Sequence, residues 1–275
     1  MIALETASRA LGAWDGVLRA LPRASALVQA LLRREAVASA ALEGIDASLA
    51  DLALFESSGT PATERDAVRE VANGVALLQH ALAGTSDPLA LHDVLMSGLR
   101  RRTEPPEANA IPPLADDLPR LVRAAIRHQH VSGDRRVARA ILLAELGAFF
   151  DLSAYFVEHE KEYVAARAGA QTAWLDFFLR AVTASATAAA SRLLLLNTRL
   201  DDWRSRVASA RNAIALEPVL ENLLAVPATT GARIAEMMEV TYPAARKTAD
   251  ALVERGVLIP TTVGKRHYFV AEVWG

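Results

Sequence analysis

A mainly α-helical fold is predicted for this chain: a helical bundle over residues 1–213, then a small helix–turn–helix unit with a β-hairpin over 214–275. Three observations predict it. Ala, Leu, Arg and Glu dominate the 275 residues, while Gly and Pro are sparse within the long segments and β-branched runs are few. Apolar residues recur at helical spacing through most of the first 213 positions. The last sixty or so residues change pattern, passing from short helices into two β-rich pieces. The length is enough for one large domain and a small one.

The first predicted helix runs from about Ser25 to Leu42, with Leu27, Leu31, Arg34, Glu35 and Ala38 marking its turns. Gly44 suits the position just past its end. A short helix near Ala47 to Phe55 follows, with Asp46 as candidate cap. SSGTPATER reads as a loop, and Glu64 to Ala83 carries a helical period through Val68, Val71, Val75 and Leu78. Asp87-Pro88 opens a helix through Arg100, with Pro at its first turn. RRTEPPEANAIPP must be a loop. Beyond it, Asp116 to His128 is helical, then a turn of Ser132, Gly133 and Asp134 feeds a helix to about Phe150. Helices over Ser153–Ala168, Thr172–Asp201 or beyond, and Trp203–Ala215 complete the bundle.

The C-terminal pattern is helix (Glu217–Ala225), helix (Thr230–Met238), a tight turn at Glu239–Thr241, and a third helix (Tyr242–Arg255) stopped by Gly256. VLIPTTV and RHYFVAEV follow, joined by Gly264-Lys265. That succession is the order of a winged helix-turn-helix domain.

A formal net charge of −2 gives no global reason to expect nucleic acid or membrane as partner. The absence of cysteine excludes disulfides, thiol catalysis and Cys-ligated zinc, and is compatible with a reducing cytosol. The first residues lack the basic start and apolar core of a signal peptide. The longest aliphatic run, Leu193 to Leu196, is too short to span a bilayer. A soluble cytoplasmic protein is expected.

Chemistry concentrates in HQHVSGDRRVAR, His128 to Arg139. A Gly-containing turn feeding a helix N-terminus aims backbone amides at an anion. Arg136 and Arg139, three residues apart, share a face of that helix. Far upstream, Ser39 and Glu43 lie four apart on one helix face. A carboxylate at a helix C-terminus opposes the macrodipole, so Glu43 calls for a cationic partner.

This stretch resembles the HPFxDGNGRxxR motif of the Fic family, whose members commonly transfer AMP from ATP to a protein hydroxyl. His128, Gly133, Arg136 and Arg139 match, while Gln129, His130, Ser132, Asp134 and Arg135 replace motif residues. Ser39-Ala40-Ala41-Leu42-Glu43-Gly44 is similar to the family's inhibitory-helix pattern. The resemblance implies a Fic-like bundle, nucleotide contacts from Gly133, Asp134, Arg136 and Arg139, His128 as base, and inhibition by Ser39 and Glu43, with Arg139 as the partner of Glu43. ATP and magnesium are implied for an active member.

The replacements point the other way. Ser132 is a poor ligand for a hard cation where the family has a carboxylate. Arg135 adopts a glycine's positive φ only at a cost, and its Cβ obstructs close approach of phosphate. Asp134 can cap the helix itself, placing a carboxylate where a phosphate belongs. The leading expectation is therefore a degenerate Fic relative, without cofactor, acting as a DNA-binding or protein-binding regulator. An adenylyltransferase autoinhibited by Glu43 is the alternative.

In the C-terminal unit, Thr241, Tyr242, Arg246 and Lys247 stand at the front of the candidate recognition helix, with Lys265, Arg266 and His267 at the wing tip. Glu217, Glu221, Glu236, Glu239, Asp250, Glu254 and Glu272 offset those cations, and such modules also serve protein contacts and dimerisation. DNA, a protein partner or a second copy are the expected partners, and no membrane. His128 and His130 lack a third ligand at metal spacing, so no metal site is expected. His159 reads as a solvated helix face, His80 and His92 as helix residues without function, and Trp174, Phe177 and Phe178 as core.

Overall fold

The computed structural model describes residues 2–58, 66–100, 103–105, 117–210 and 213–273. The predicted loop over residues 101–113, apart from 103–105, lies outside the described residues. So do Gly59 to Arg65, the start of one predicted helix included, and the predicted helix start at Asp116.

The first element, α1 (Ile2–Ala20), precedes every helix the sequence analysis assigned. Its inward stripe is narrow: Ala7 and Trp14 are buried, and Leu4, Leu11 and Leu18 pack beside them. Small residues dilute that stripe, which hides its period. Helix α2 (Ala24–Ala41) follows, and Gly44, at φ 75°, supplies the left-handed residue beyond its end. Helix α3 (Leu49–Ser58) is capped by Ser48 rather than Asp46. The Ser48 hydroxyl accepts from the Asp51 amide (3.1 Å), and Asp51 accepts from the Ser48 amide (3.1 Å), a reciprocal capping box.

Helix α4 spans Asp66–Leu82. Helix α5 (Pro88–Leu95) opens on Asp87, whose carboxylate accepts from the Leu89 amide, and it stops short of the expected Arg100 near Gly98, at φ 66°. Two helices carry the arginine-rich motif: α6 (Arg120–His130) and α7 (Arg135–Leu146). The second ends before Phe150 because Gly147 takes φ 60°. The expected helix over Ser153–Ala168 is two, α8 (Leu152–Glu158) and α9 (Glu160–Ala168), which meet at the non-helical backbone of His159.

The reverse holds for α10 (Gln171–Val207), one unbroken helix where two were expected. Asp201 and Asp202 face outward while Leu200 and Trp203 continue its buried stripe, so the polar pair is no break. Among the described helices, α10 alone has the length and hydropathy to suit a bilayer, yet its Trp174, Phe177, Val182, Leu193 and Trp203 form the protein core. Alanines 181, 186 and 189, all fully buried, line the same helix, and small side chains permit close helix approach. Helix α1 packs extensively along it.

After a 3-10 turn at Ala213–Leu216 come α11 (Glu217–Ala225), β1 (Ala228–Thr229), α12 (Gly231–Met238), α13 (Tyr242–Glu254), β2 (Ile259–Val263) and β3 (Arg266–Val270). The Thr230 hydroxyl caps α12 through the Arg233 amide (3.1 Å). Glu239, at φ 53°, closes it. The sheet runs β1-β3-β2, all antiparallel, with Ile259 opposite Val270 and Val263 opposite Arg266. Strand β1 was not expected from sequence; two residues are too few to show a period.

The main core is continuous across residue 213. Val219, Leu220, Leu223 and Leu224 of α11 belong to the same buried cluster as Leu27, Leu31 and Leu32 of α2. A second cluster of Ala53, Ala225, Val226 and Ala228 joins α3 to β1.

Candidate functional site

Helix α7 begins where the chain turns through Gly133, at φ 75°. Asp134 is its N-cap: one carboxylate oxygen accepts from the Arg136 amide at 3.0 Å. The same carboxylate receives the Arg136 guanidinium on both oxygens, Nε at 3.0 Å and Nη2 at 2.6 Å. The Thr103 hydroxyl donates to it at 2.6 Å, and the Asp134 amide donates to the Glu104 carbonyl at 3.0 Å. Burial opposes the charge on Asp134. The hydrogen bonds and charge of Arg136, with the Thr103 hydroxyl, outweigh it and hold the carboxyl below its ordinary pKa. Arg136 is closed on its other side by Glu70 of α4.

His92, read as functionless, joins this network. Its Nε2 lies 3.2 Å from Thr103 Oγ1, and since that hydroxyl donates to Asp134, the imidazole is the donor.

One helical turn on, Arg139 is 1% exposed and reaches α2. Its Nε donates to the Ser39 hydroxyl at 2.8 Å. Its Nη2 donates to the Ser39 carbonyl and to Glu43 Oε1, each at 2.9 Å. The cationic partner that Glu43 called for is thus Arg139. Glu35 lies one turn earlier on the same face of α2. Its carboxylate accepts from the Ser153 amide (2.8 Å) and hydroxyl at the start of α8, and burial pushes its pKa up to about 7. Beside it, buried Asp151 is held by Arg34 and Arg192, each at 2.9 Å.

His128 stands elsewhere. Helix α6 continues through it to His130, and Leu121, Ala124, Ala125 and His128 form one buried stripe at i, i+3, i+4 and i+7. The ring is stacked against Trp174 (centroids 5.8 Å) and Phe156 (6.4 Å), and neither ring nitrogen has a partner among the described residues. Burial, and then the charges of Arg139, Arg167 and Arg135, depress its pKa well below the usual value. The expected general base is a core residue, because the helix that carries it turns it inward.

The cleft at the α7 N-terminus, of about 490 Å³, is lined by Glu43, Ile45, Glu70, Thr103, Glu104, Gly133, Asp134 and Arg136. The structure therefore brings Gly133, Asp134, Arg136 and Glu43 together and leaves His128 out. Four carboxylates face one arginine. Asp134 already occupies the anion position at the helix end, and Ser132 is exposed. These residues do not fit a magnesium triphosphate. Among the described residues no group of three or more His, Asp or Glu is arranged to hold a metal ion. Thr103 and Glu70 escaped the sequence reading because only tertiary contact brings them here.

In the C-terminal unit Thr241, Lys247, Lys265 and Arg266 are exposed, as is Tyr242. Arg246 is engaged: its Nε lies 3.3 Å from Asp250 and its guanidinium 5.0 Å from the centre of the Phe269 ring. Tyr242 also packs over Gly231, where a Cβ would come within 2.9 Å of the ring. Tyr242, Arg266 and His267 line a cleft of about 600 Å³ with Glu56, Arg233 and Glu236. His159, expected in solvent, is half-buried and stacked on Tyr155 at 4.0 Å.

Residues 1–83, which include α2 and the Ser39–Glu43 face, match the family described as Fic/DOC family N-terminal. By this region the chain is similar to the Fic family. The crystal structure of a Fic family protein from Desulfovibrio desulfuricans G20 is similar in fold, with a TM-score of 0.56 over 100% of this chain and 97% of that one, at 14% identity. No curated protein matches the chain. The helix that carries the inhibitory-type pattern thus lies within the part that sequence similarity reaches, and it holds Arg139 of α7 through Nε and Nη2, while Nη1 has no partner among the described residues.

Proposed function

We propose that this chain is a Fic-family protein that does not transfer nucleotide and acts in the cytoplasm as a DNA-binding regulator, with residues 217–273 as a winged helix. One observation carries the first half: the Asp134 carboxylate sits at the α7 N-terminus and takes both its cap and the Arg136 guanidinium. An incoming phosphate would have to displace a buried, doubly hydrogen-bonded ion pair, and breaking such a pair costs about 3–5 kcal/mol. The second half is supported by helix order and sheet order, and by exposed Lys247, Lys265 and Arg266 on the helix and wing that meet DNA in such modules.

Calorimetry with ATP and magnesium is expected to give no saturable heat for the native chain or for Glu43→Gly. Gel shifts against genomic fragments are expected to show binding that weakens steeply between low and moderate salt. ATP-dependent labelling of itself or of lysate proteins by Glu43→Gly would overturn the first half; no shift at low salt would overturn the second. The contact of Ser39 and Glu43 with Arg139 favours a second reading, an adenylyltransferase held inactive by Glu43, and the same labelling experiment decides for or against it.

A further inference from the structure

A second cleft lies at the far end of the α6–α7 pair from the motif turn. It measures about 520 Å³, within the range of small-molecule sites, and is walled by α1, the start of α6 and the end of α7. Leu4, Leu11, Leu121 and Leu146 make its walls apolar, and Trp14 lines it with them. Trp14 is 1% exposed, and its indole N–H has no acceptor among the described residues. A buried donor left unpaired is costly, and its resonance reports on what enters the cleft beside it.

The polar side of this cleft is cationic. Arg19 and Asp15 pair with each other at 2.6 Å, which leaves Arg120 as the unbalanced charge. Its guanidinium stands over Gly147, 3.8 Å from where a Cβ would be, and it has no ion-pair or hydrogen-bond partner among the described residues. Arg120 is also the first residue of α6, whose N-cap is Pro119 and whose first turn carries no acidic side chain. The end of that helix therefore adds uncapped backbone donors to the guanidinium. On the facing side, the Gly147 and Ala148 amides close back onto carbonyls of α7 at 3.0 and 3.1 Å.

From the volume of the cleft, its apolar walls and an exposed Arg120 without a partner among the described residues, we infer that this cleft binds a small amphipathic carboxylate. The carboxylate meets Arg120 and the start of α6, and a short hydrocarbon tail lies among the leucines. Hydrocarbon burial supplies most of the affinity, and the charge sets the headgroup preference. This site is independent of the acidic cleft at the motif and of the reading drawn from it.

Octanoate, octylammonium and acetate are the probes, titrated into the full chain and followed by calorimetry and by the indole N–H resonances, with Trp14→Phe assigning the Trp14 signal. Octanoate is expected to saturate and to shift that signal, and the other two are not. Arg120→Ala, an exposed position, is expected to weaken octanoate about tenfold, the size of one charge-assisted contact. Gly12→Leu is expected to abolish binding by filling the cleft, since a Cβ at Gly12 meets nothing within 4 Å and the fold tolerates it. Failure of octanoate to saturate, equal binding of octylammonium, or native affinity in folded Gly12→Leu would each overturn the site.

Discussion

Arg136 and Arg139 stand one turn apart on α7, and both side chains are buried, 4% and 1% exposed. They are neutralised in different ways. Arg136 is closed mainly from within its own turn, by the residue that also caps the helix, with Glu70 sealing the other side. Arg139 is closed from α2, about a hundred residues away in sequence, by one hydroxyl, one carbonyl and the Glu43 carboxylate. Asp134 satisfies four donors and cannot leave without stranding them. Glu43 satisfies one, and its side chain is 27% exposed. The first closure is part of the fold, whereas the second is a contact that a side-chain rotation undoes.

The largest test of that difference is Arg136→Ala. It strands the Asp134 carboxylate, and we expect a loss of about 3–5 kcal/mol in urea unfolding. A loss no greater than that from Glu43→Gln would break the comparison. Next is the pH response of α2. The Glu35 pKa rises from 4.5 to about 7 on folding, so its contribution is fully present below the unfolded value and is lost as pH rises through about 7. Glu35→Gln should therefore gain on the native chain by about 3 kcal/mol between pH 4 and pH 8, measured as the difference of two unfolding curves.

His128→Phe is expected to stabilise by about 1 kcal/mol, because it removes two unpaired nitrogens from an aromatic cluster. Since folding depresses the His128 pKa, native stability should also fall as pH drops below the ordinary histidine value, and the variant should lack that loss. Thermal melts at two pH values check both; destabilisation at neutral pH would contradict a core role. The smallest effect is Glu43→Gln. Because Glu43 itself is partly solvated, its side chain 27% exposed, and a glutamine oxygen can still accept from Arg139, the loss should be about 0.5–1 kcal/mol and less at high salt.

What the sequence disclosed follows the range of the interactions. Gly44, Gly256, Thr230 and Asp87 mark helix ends through bonds to their own neighbours, and the structure has all four at such ends. Asp134 as a cap was equally local, and the SxxxEG face named Arg139 through the family pattern. Thr103, Glu70 and His92 were not legible, because their roles exist only once α4, α5 and α7 are packed. His128 shows a different failure. Its spacing from Leu121, Ala124 and Ala125 already placed it on the inward stripe, but its place in the motif led to its assignment as a base. Helix α1 escaped because alanine supplies much of its inward face, and strand β1 because it is too short to carry a pattern.

The buried face of α2 fixes how Arg139 can ever be released. Leu27, Leu31 and Leu32 are almost wholly inaccessible, Glu35 is anchored to α8, and the same helix packs on α4 and α11. Withdrawing such an element means opening the core, at an equilibrium cost near that of global unfolding. At its C-terminal end Ser39 and Ala40 are still buried, and the stretch from Ala41 to Gly44 protrudes enough to fray. Slow exchange of the amides from Leu27 to Ala36, beside fast exchange from Ala41 onward, would be the signature of a latch whose hinge is one turn long.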